Sequence, residues 1–429
     1  MLSAPNNQLL TETARGTLMG DYLRRFWTPF LLSSELPSPD CPPVRVRLMS
    51  ENLVAFRNTD GQVGLVQAAC PHRRASLFWG RNEENGLRCV YHGWKFDITG
   101  QCVDMPSEPE ASNFKDKIQI TAYPAIDRGG IIWAYLGAPE FTPELPQHDW
   151  LDLPETHRYA TKRIENTNWA QALEGGIDSA HSNFLHASVA SYRRDPAWVE
   201  RAKNAPDLRT RYHALDRSPT FIPTPTDYGL RIGARRDAGQ DGHYWRFTHW
   251  LTPYYNLFGA AGDAPGVNGR GFAWVPIDDT HSWTITFTWN THHPLTKDDI
   301  AAADDFAGPT IGDSFLPARN STNDYMIDRD DQVSTTFTGI AGIQAQDMAV
   351  QESMGAIVDR TLEHLGTSDT AIIVMRRQLL AHARAAAEGV EPYAASHGSV
   401  YRTRTSEIIV AKDTDLDEAT QSALCSLDS

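Results

Sequence analysis

Basic residues are in deficit in this 429-residue chain: 39 Lys and Arg stand against 54 Asp and Glu, a formal net charge of −15 at pH 7. Binding a nucleic-acid backbone or an anionic membrane requires clustered cations to neutralise phosphates, and no basic stripe offsets the deficit, so neither partner is expected. Cysteine is scarce as well. Cys41, Cys70, Cys89, Cys102 and Cys425 are too few and too scattered for a disulfide framework in a chain of this length. No run approaches the ~20 apolar residues that cross a bilayer. The opening MLSAPNNQLLTETARGTLMG has neither the basic leader nor the apolar core of a signal peptide. A cytoplasmic, reducing compartment is the expectation, and there clustered cysteine binds metal more readily than it forms disulfides. Internal repeats, a Gly-rich nucleotide fingerprint and a flavin motif are also missing.

What is there suits a soluble globular protein of two or three domains: 41% hydrophobic and 22% charged residues. Residues 44–140 read as all-β, because the short β-prone runs VRVRL, ENLVAF, VGLVQA and IIWAYLG are punctuated by the turn signals TDG, ENG, ITG and DRGG. The Pro-bearing, poorly periodic segment 138–155 reads as a linker, which places the domains at 1–143 and 144–429. Beyond it come a helical stretch around 168–187 and a hairpin of GLRIGARR with HYWRFTHWL. In SWTITFTWN, Trp283, Ile285, Phe287 and Trp289 alternate with polar residues, the pattern of a half-buried strand. A long helix follows over AIIVMRRQLLAHARAAAEG. The class is α+β, a small β domain followed by a mixed domain with a sheet and long helices.

Two short loops carry Cys70-x-His72 and Cys89-x2-His92. Zinc favours a tetrahedral set of this kind, but usually from loops that pair like residues. Here each loop supplies one Cys and one His. A two-iron cluster accommodates that mixture, with both cysteines on one iron and both histidines on the other. Cys41, Cys102 and Cys425 have no partner at ligand spacing and read as ordinary thiols.

Further on, Asp178, His181 and His186 form D-x2-H-x4-H. On a continuous helix Glu174, Asp178 and His181 share a face, whereas His186, five residues past His181, points about 140° away. The helix must therefore break between Ser182 and Leu185 if both imidazoles are to reach one metal. Two histidines and a carboxylate with open positions make the site of non-haem Fe(II) oxygenases. For the third ligand, Asp347, Glu352 and Asp359 are the local choices, and spacing does not choose among them.

The two constellations together resemble a known family. CPHR…CVYHGW looks like the Rieske [2Fe–2S] motif, and N-W-x-Q-x2-E-G-x2-D-x2-H-x4-H is similar to the oxygenase (alpha) subunit of Rieske non-haem iron ring-hydroxylating oxygenases. NDYMIDRDDQ…GIAGIQAQDMAVQESMGAIVDRTLEHLGTSD resembles the phthalate 4,5-dioxygenase-like branch. The resemblance spans residues from about 20 to 385. It implies an N-terminal Rieske domain and a larger helix-grip catalytic domain. It also implies a cluster held by Cys70, His72, Cys89 and His92, and a mononuclear Fe(II) held by His181, His186 and Asp347. Asp178 is implied to hydrogen-bond a histidine ligand and to reach a Rieske histidine of a neighbouring subunit, so the active unit is a trimer or a pair of stacked trimers. Asn168 is implied to approach the open side of the iron, while Trp169 reads as packing. Electrons are expected from a separate NADH-dependent flavin/iron–sulfur reductase.

Within HYWRFTHWL, Arg246 sits mid-strand among apolar residues, a costly place for a charge without a partner. Either an internal acid meets it or it waits for a substrate carboxylate, which a guanidinium grips bidentately. The phthalate-type relatives act on aromatic carboxylates, which favours the second role. Arg209 and Arg231 are weaker candidates. A dicarboxylate needs two cationic contacts, and no second arginine matches the pattern, so a substituted benzoate fits at least as well as phthalate. The competing readings are a monooxygenase of the same architecture, hydroxylase or O-demethylase, and a Rieske-type electron carrier or structural metal protein.

Overall fold

The computed structural model describes residues 2–417 except 110, 214–215, 259–267, 313 and 415; the side chains of residues 209 and 213 are likewise outside the description. Cys425 therefore lies outside the described residues.

The turn signals of the first 140 residues deliver strands where expected. Val44–Leu48, Glu51–Arg57 and Val63–Gln67 pair in sequence order, with Ala122–Tyr123 closing the edge. A second small sheet, Arg81–Glu83, Gly86–Arg88, Lys95–Phe96 and Cys102–Asp104, stands beside it. Between them lies a compact core that includes Val54, Phe56, Leu77, Leu87 and Phe96, and Cys70 and Cys89 belong to it. A third sheet joins Trp27–Leu32, Ile131–Tyr135 and Ala125–Arg128.

The larger part is built on an eight-stranded antiparallel sheet. Its order runs Arg158–Glu165, His281–Trp289, Gly269–Asp278, Tyr255–Phe258, His243–Leu251, Gly229–Asp237 and Thr220–Thr226, with Glu407–Val410 paired on His243–Leu251. The helix Thr370–Ala387 buries Ile372, Met375, Leu379 and Ala383 at helical spacing. It packs that stripe against the Thr220–Thr226 and Gly229–Asp237 strands. The N-terminal helices Ala4–Thr11 and Leu18–Leu23 lean on the same long helix, so one apolar core runs unbroken from Leu10 to Tyr401.

Two expectations are corrected. The 138–155 segment lacks long elements, but it is not a free tether: Trp150 is buried and stacks on Phe287 at 4.4 Å, and His148 lies 5.7 Å from Trp150. Its apolar residues have nowhere better to go than the core they cross. The His281–Trp289 strand is buried on both faces rather than one. Ile285, Phe287 and Trp289 enter the core, while Thr284, Thr286 and Thr288 are equally covered. Thr286 accepts from Gln344 Nε2 at 2.7 Å, because the helix Ile343–Ser353 lies over that face.

Candidate active site

The two Cys-His loops fold as copies of one turn. Cys70 N–H donates to Ala75 O at 2.8 Å and Arg74 N–H returns to Cys70 O at 3.0 Å; Cys89 N–H donates to Trp94 O at 2.8 Å and Gly93 N–H to Cys89 O at 3.0 Å. Both returning residues are left-handed, Arg74 at φ 63° and Gly93 at φ 78°. Gly93 has a second reason to be glycine, since a Cβ there would sit 2.6 Å from Pro106 Cγ. The paired turns bury Cys70 and Cys89 at 1% and 3% exposure. The His72 and His92 rings come within 4.4 Å of each other at the partly exposed rim. Trp94 stacks flat on His72 at 4.5 Å. His72 Nδ1 is buried and has no hydrogen-bond partner, as an atom reserved for a metal would be. Among the described residues, the one set of three or more Cys, His, Asp or Glu donors lying within 4.8 Å of one another is elsewhere. The four loop donors thus do not close on a single point, as one tetrahedral zinc requires. Their division into a buried thiol pair and a rim imidazole pair fits a two-iron cluster.

The converging set is His181, His186 and Asp347. The helix Trp169–Ile177 stops earlier than spacing suggested: Asp178 is extended at φ −81°, ψ 103°, His181–Asn183 form a single 3₁₀ turn, and Phe184 leaves it at φ −122°, ψ −68°. That detour lets residues five apart aim at one point. His181 Nε2 and His186 Nε2 are 3.2 Å apart, and Asp347 Oδ1 is 3.6 Å and 3.3 Å from them. Ligand bonds of about 2.1 Å meeting at right angles space donors about 3.0 Å apart, so the set suits one face of an octahedron. Outer partners settle which atoms face inward. His186 Nδ1 lies 2.6 Å from Gln346 Oε1 and His181 Nδ1 lies 3.6 Å from Asp178 Oδ2, leaving both Nε2 lone pairs turned toward the carboxylate. Three electron-rich atoms held this close suit a single cation. The other two acids are engaged elsewhere: Glu352 accepts from Tyr325 Oη at 2.5 Å and Asn166 N at 3.0 Å, and Asp359 accepts from Thr361 N at 3.0 Å.

The triad opens on a cavity of about 590 Å³. One wall is the sheet, where Arg270, Phe272 and Trp274 alternate along one strand and Arg246 and Thr248 along another; Glu165 and Thr284 complete the floor. Burial pushes the Glu165 carboxyl up to about 8, against the pull of its hydrogen bond with Thr284 Oγ1 at 2.7 Å. Its Oε1 is buried at the cavity wall.

Residues 26–123 match the Rieske [2Fe-2S] domain, and residues 134–425 match the family described as LigXa C-terminal domain like. The 3-chlorobenzoate-3,4-dioxygenase oxygenase subunit of Comamonas testosteroni is 37% identical, over 98% of each chain. The phthalate 4,5-dioxygenase oxygenase subunit of Pseudomonas putida is 38% identical over 97% of this chain and 94% of its own. The chain belongs to the Rieske non-haem iron oxygenases, as an oxygenase subunit. Solved structures agree on the fold: NdmA of Pseudomonas putida CBB5 with caffeine superposes at a TM-score of 0.61, 18% identity, over 93% of this chain and 100% of its own. Dicamba monooxygenase gives 0.59 at 17% identity, over 85% and 98%. Oxygenases of this family carry a [2Fe–2S] cluster and a mononuclear iron, and the two donor sets of this oxygenase fit them.

Several residues singled out by sequence stand elsewhere in this oxygenase. Asn168 does not line the cavity. It caps the Trp169–Ile177 helix by accepting from Ala170 N at 3.1 Å, and its Nδ2 donates to Thr11 O and Asp279 O at 3.0 and 2.8 Å. Trp169 is fully buried packing. Glu174 does not share a face with the ligands, because the helix ends first; it points to Arg360 and Arg376. Arg246 does line the cavity: its Nε lies 3.3 Å from Glu407 Oε1, which the sheet register places directly opposite, but neither atom makes a hydrogen bond, and its Nη1 reaches Ser179 Oγ at 3.4 Å. Arg231 pairs with Asp417, and the side chain of Arg209 lies outside the described residues. Sequence reasoning passed over Gln346, Glu165 and Arg270. Arg270 carried the same signal as Arg246, a lone cation on an apolar strand, in GRGFAWV.

Proposed function

We propose that the chain is the oxygenase component of a dioxygenase acting on an aromatic carboxylate. The observation that carries this reading is the opening of His181, His186 and Asp347 onto a cavity sized for a small ring and lined by aromatic and cationic side chains. The relatives at 37% and 38% identity act on 3-chlorobenzoate and phthalate by name, which supports the same substrate class. In this reading His181, His186 and Asp347 hold Fe(II), Cys70 and Cys89 hold one iron of the cluster, and His72 and His92 hold the other.

When bound, the cluster supplies electrons singly and the Fe(II) activates O2. The rest falls to the chain's own residues. Gln346 and Asp178 orient the two imidazoles, the phenylalanine and tryptophan rings exclude water, and a guanidinium holds the substrate carboxylate. Electrons come from a separate NADH-dependent reductase with flavin and iron–sulfur groups. The Asp178 side chain keeps 22% of its surface exposed and lines the cavity. In this reading Asp178 links to a neighbouring subunit, and the active unit is a homotrimer or two stacked trimers.

The test is substrate-dependent O2 uptake by iron-loaded protein with NADH and a surrogate reductase, across a panel of aromatic acids. Benzoates or phthalates are expected to stimulate uptake, both atoms of ¹⁸O2 to enter the product, and about three irons to be found per chain. Stimulation by neutral arenes alone would overturn the carboxylate assignment.

A further inference from the structure

The helix Ile343–Ser353 serves two surfaces at once. Gln344, Asp347 and Gln351 recur at helical spacing and line the cavity. Ala345, Met348 and Glu352 recur at the same spacing one residue further on, along the adjoining back face. Ala345 and Met348 pack there in a small core with Ile340 and Tyr325. Tyr325 Oη donates to Glu352 Oε2 at 2.5 Å and lies 3.5 Å from Met348 O, and Glu352 Oε1 accepts from Asn166 N at 3.0 Å. Burial and Glu352 both raise the Tyr325 pKa, so the phenol keeps its proton and acts as the donor. Glu352 is thus a strut between Tyr325 and the end of the Arg158–Glu165 strand.

Tyr325 sits on a strained backbone. Asp324, Tyr325 and Met326 are left-handed at φ 48°, 54° and 52°, three successive non-glycine residues in a region that a Cβ disfavours. Such strain persists only where the surroundings fix it. Here both flanks do. Tyr325 N–H donates to Asn320 O at 2.9 Å, Ile327 N–H to Asp324 O at 3.1 Å, and Asp328 N–H to Gly339 O at 2.8 Å. The turn leaves Tyr325 8% exposed, while Met326 beside it is 59% exposed. The helix above begins after Gly342 without a side-chain cap, so its back face does much of the holding. Side chains reach about 5–6 Å from a helix axis, so a rotation of about 10° moves a carboxylate about 1 Å, roughly half a metal–oxygen bond.

We propose that Tyr325 is a positioning residue for the metal ligands: through Glu352 and Met348 it fixes the rotation of the Ile343–Ser353 helix, and with it the place of Asp347. This rests on the assignment of His181, His186 and Asp347 to Fe(II) and extends it to a residue that lies outside the cavity. The same rotation governs Gln346, whose amide oxygen stands 2.6 Å from His186 Nδ1. Ile340, whose carbonyl orients that amide, belongs to the Tyr325 core. One phenol therefore backs two of the three ligands, Asp347 along the helix and His186 through Gln346. The segment NDYMID lines no part of the cavity, and this role gives it a place in the chemistry.

The experiment uses the full-length protein with its cluster intact and compares the parent with Tyr325→Phe, Glu352→Gln and Glu352→Ala. His186→Ala serves as the control for ligation. Fe(II) affinity is read by titration without substrate, and ligand geometry by electron paramagnetic resonance of the nitric oxide adduct of the bound Fe(II). Tyr325→Phe is expected to bind Fe(II) about 10-fold more weakly and to change the adduct signal, with cluster absorption equal to the parent. Glu352→Ala should match it. Glu352→Gln should recover most of the affinity, since its Nε2 can donate to Tyr325 Oη while its Oε1 takes Asn166 N. Parental affinity and signal in Tyr325→Phe overturn the proposal. Loss of cluster and mononuclear iron in step overturns it as well, because it marks a general loosening of the fold. Retention of Fe(II) by His186→Ala defeats the ligand assignment itself. Tight, Tyr325-dependent Fe(II) binding without substrate-dependent O2 uptake keeps the positioning role and defeats the oxygenase reading alone.

Discussion

Gln346 holds His186 by a chain of two hydrogen bonds: its Nε2 donates to Ile340 O at 2.7 Å, and its Oε1 stands 2.6 Å from His186 Nδ1. A carbonyl can only accept, so Ile340 dictates which way the amide faces, and the amide then dictates the imidazole tautomer. His186 must carry its proton on Nδ1 and present a bare Nε2 to the ligand set. Removing the amide frees both the tautomer and the ring torsion. Gln346→Leu is expected to lower Fe(II) affinity about 10–100-fold, read as mononuclear iron retained after dialysis against a weak chelator. The cluster absorption should be unaffected, and full iron retention would count against the positioning role.

Asp178 serves His181 in the same manner but more loosely, at 3.6 Å, with its Oδ1 already accepting from Ala180 N at 2.7 Å. Asn at this position keeps the volume and the Ala180 contact while removing the charge. Asp178→Asn is expected to retain both the cluster and the mononuclear iron yet lose about 10–100-fold in turnover. Metal analysis beside O2 uptake separates the effects. Turnover equal to the parent would exclude Asp178 as the link to a neighbouring subunit.

The structure also assigns a purely architectural role to one residue of the same helix. Glu174 accepts from Arg376 Nε and Nη2 at 2.7 Å each and from Arg360 Nε at 3.2 Å, and both arginines are almost wholly buried. Glu174→Ala would take from buried Arg360 its carboxylate partner and leave Arg376 with Glu363, a loss of about 3–5 kcal/mol. It should appear as a large fall in the thermal midpoint. A midpoint within a degree or two of the parent would mean that the arginines find other partners.

Local patterns carried most of what could be read in advance. The paired Cys-His turns, the Gly229–Asp237 and His243–Leu251 hairpin and the long C-terminal helix are all written in residues a few positions apart. What escaped depends on distant neighbours. Gly175 and Gly176 admit Gln351 and Trp274, each from another element, against the last turn of a helix that ends at Ile177, where spacing alone extended it too far. Arg246 and Arg270 look alike in sequence, and only the pairing of distant strands sets Glu407 3.3 Å from Arg246. Asn168 and its neighbours matched a family pattern, but that match says nothing of direction. Its side chain turns to Thr11 and Asp279, away from the cavity.

The buried histidines set the acid limit of the fold. His148 is caged by Trp133, Trp150, Tyr255 and Tyr401, its Nε2 has no hydrogen-bond partner, and burial drives its pKa down to about 3. His249 is pushed to about 3 as well, chiefly by burial. In the unfolded chain each titrates near its ordinary value of about 6.5. Between those values the unfolded state binds protons that the folded state refuses, so stability falls as pH drops below about 6.5 and is fully present above it. Each group contributes a slope of up to about 1.4 kcal/mol per pH unit, or about 2 kcal/mol between pH 7 and pH 5. His148→Leu keeps an apolar side chain in the cage and removes the titration. Denaturant unfolding of parent and variant at pH 7 and pH 5 should show the variant losing about 2 kcal/mol less over that interval. Comparing the two proteins cancels the pH dependence of metal binding that they share. Parallel losses would mean that His148 takes up its proton without opening the cage.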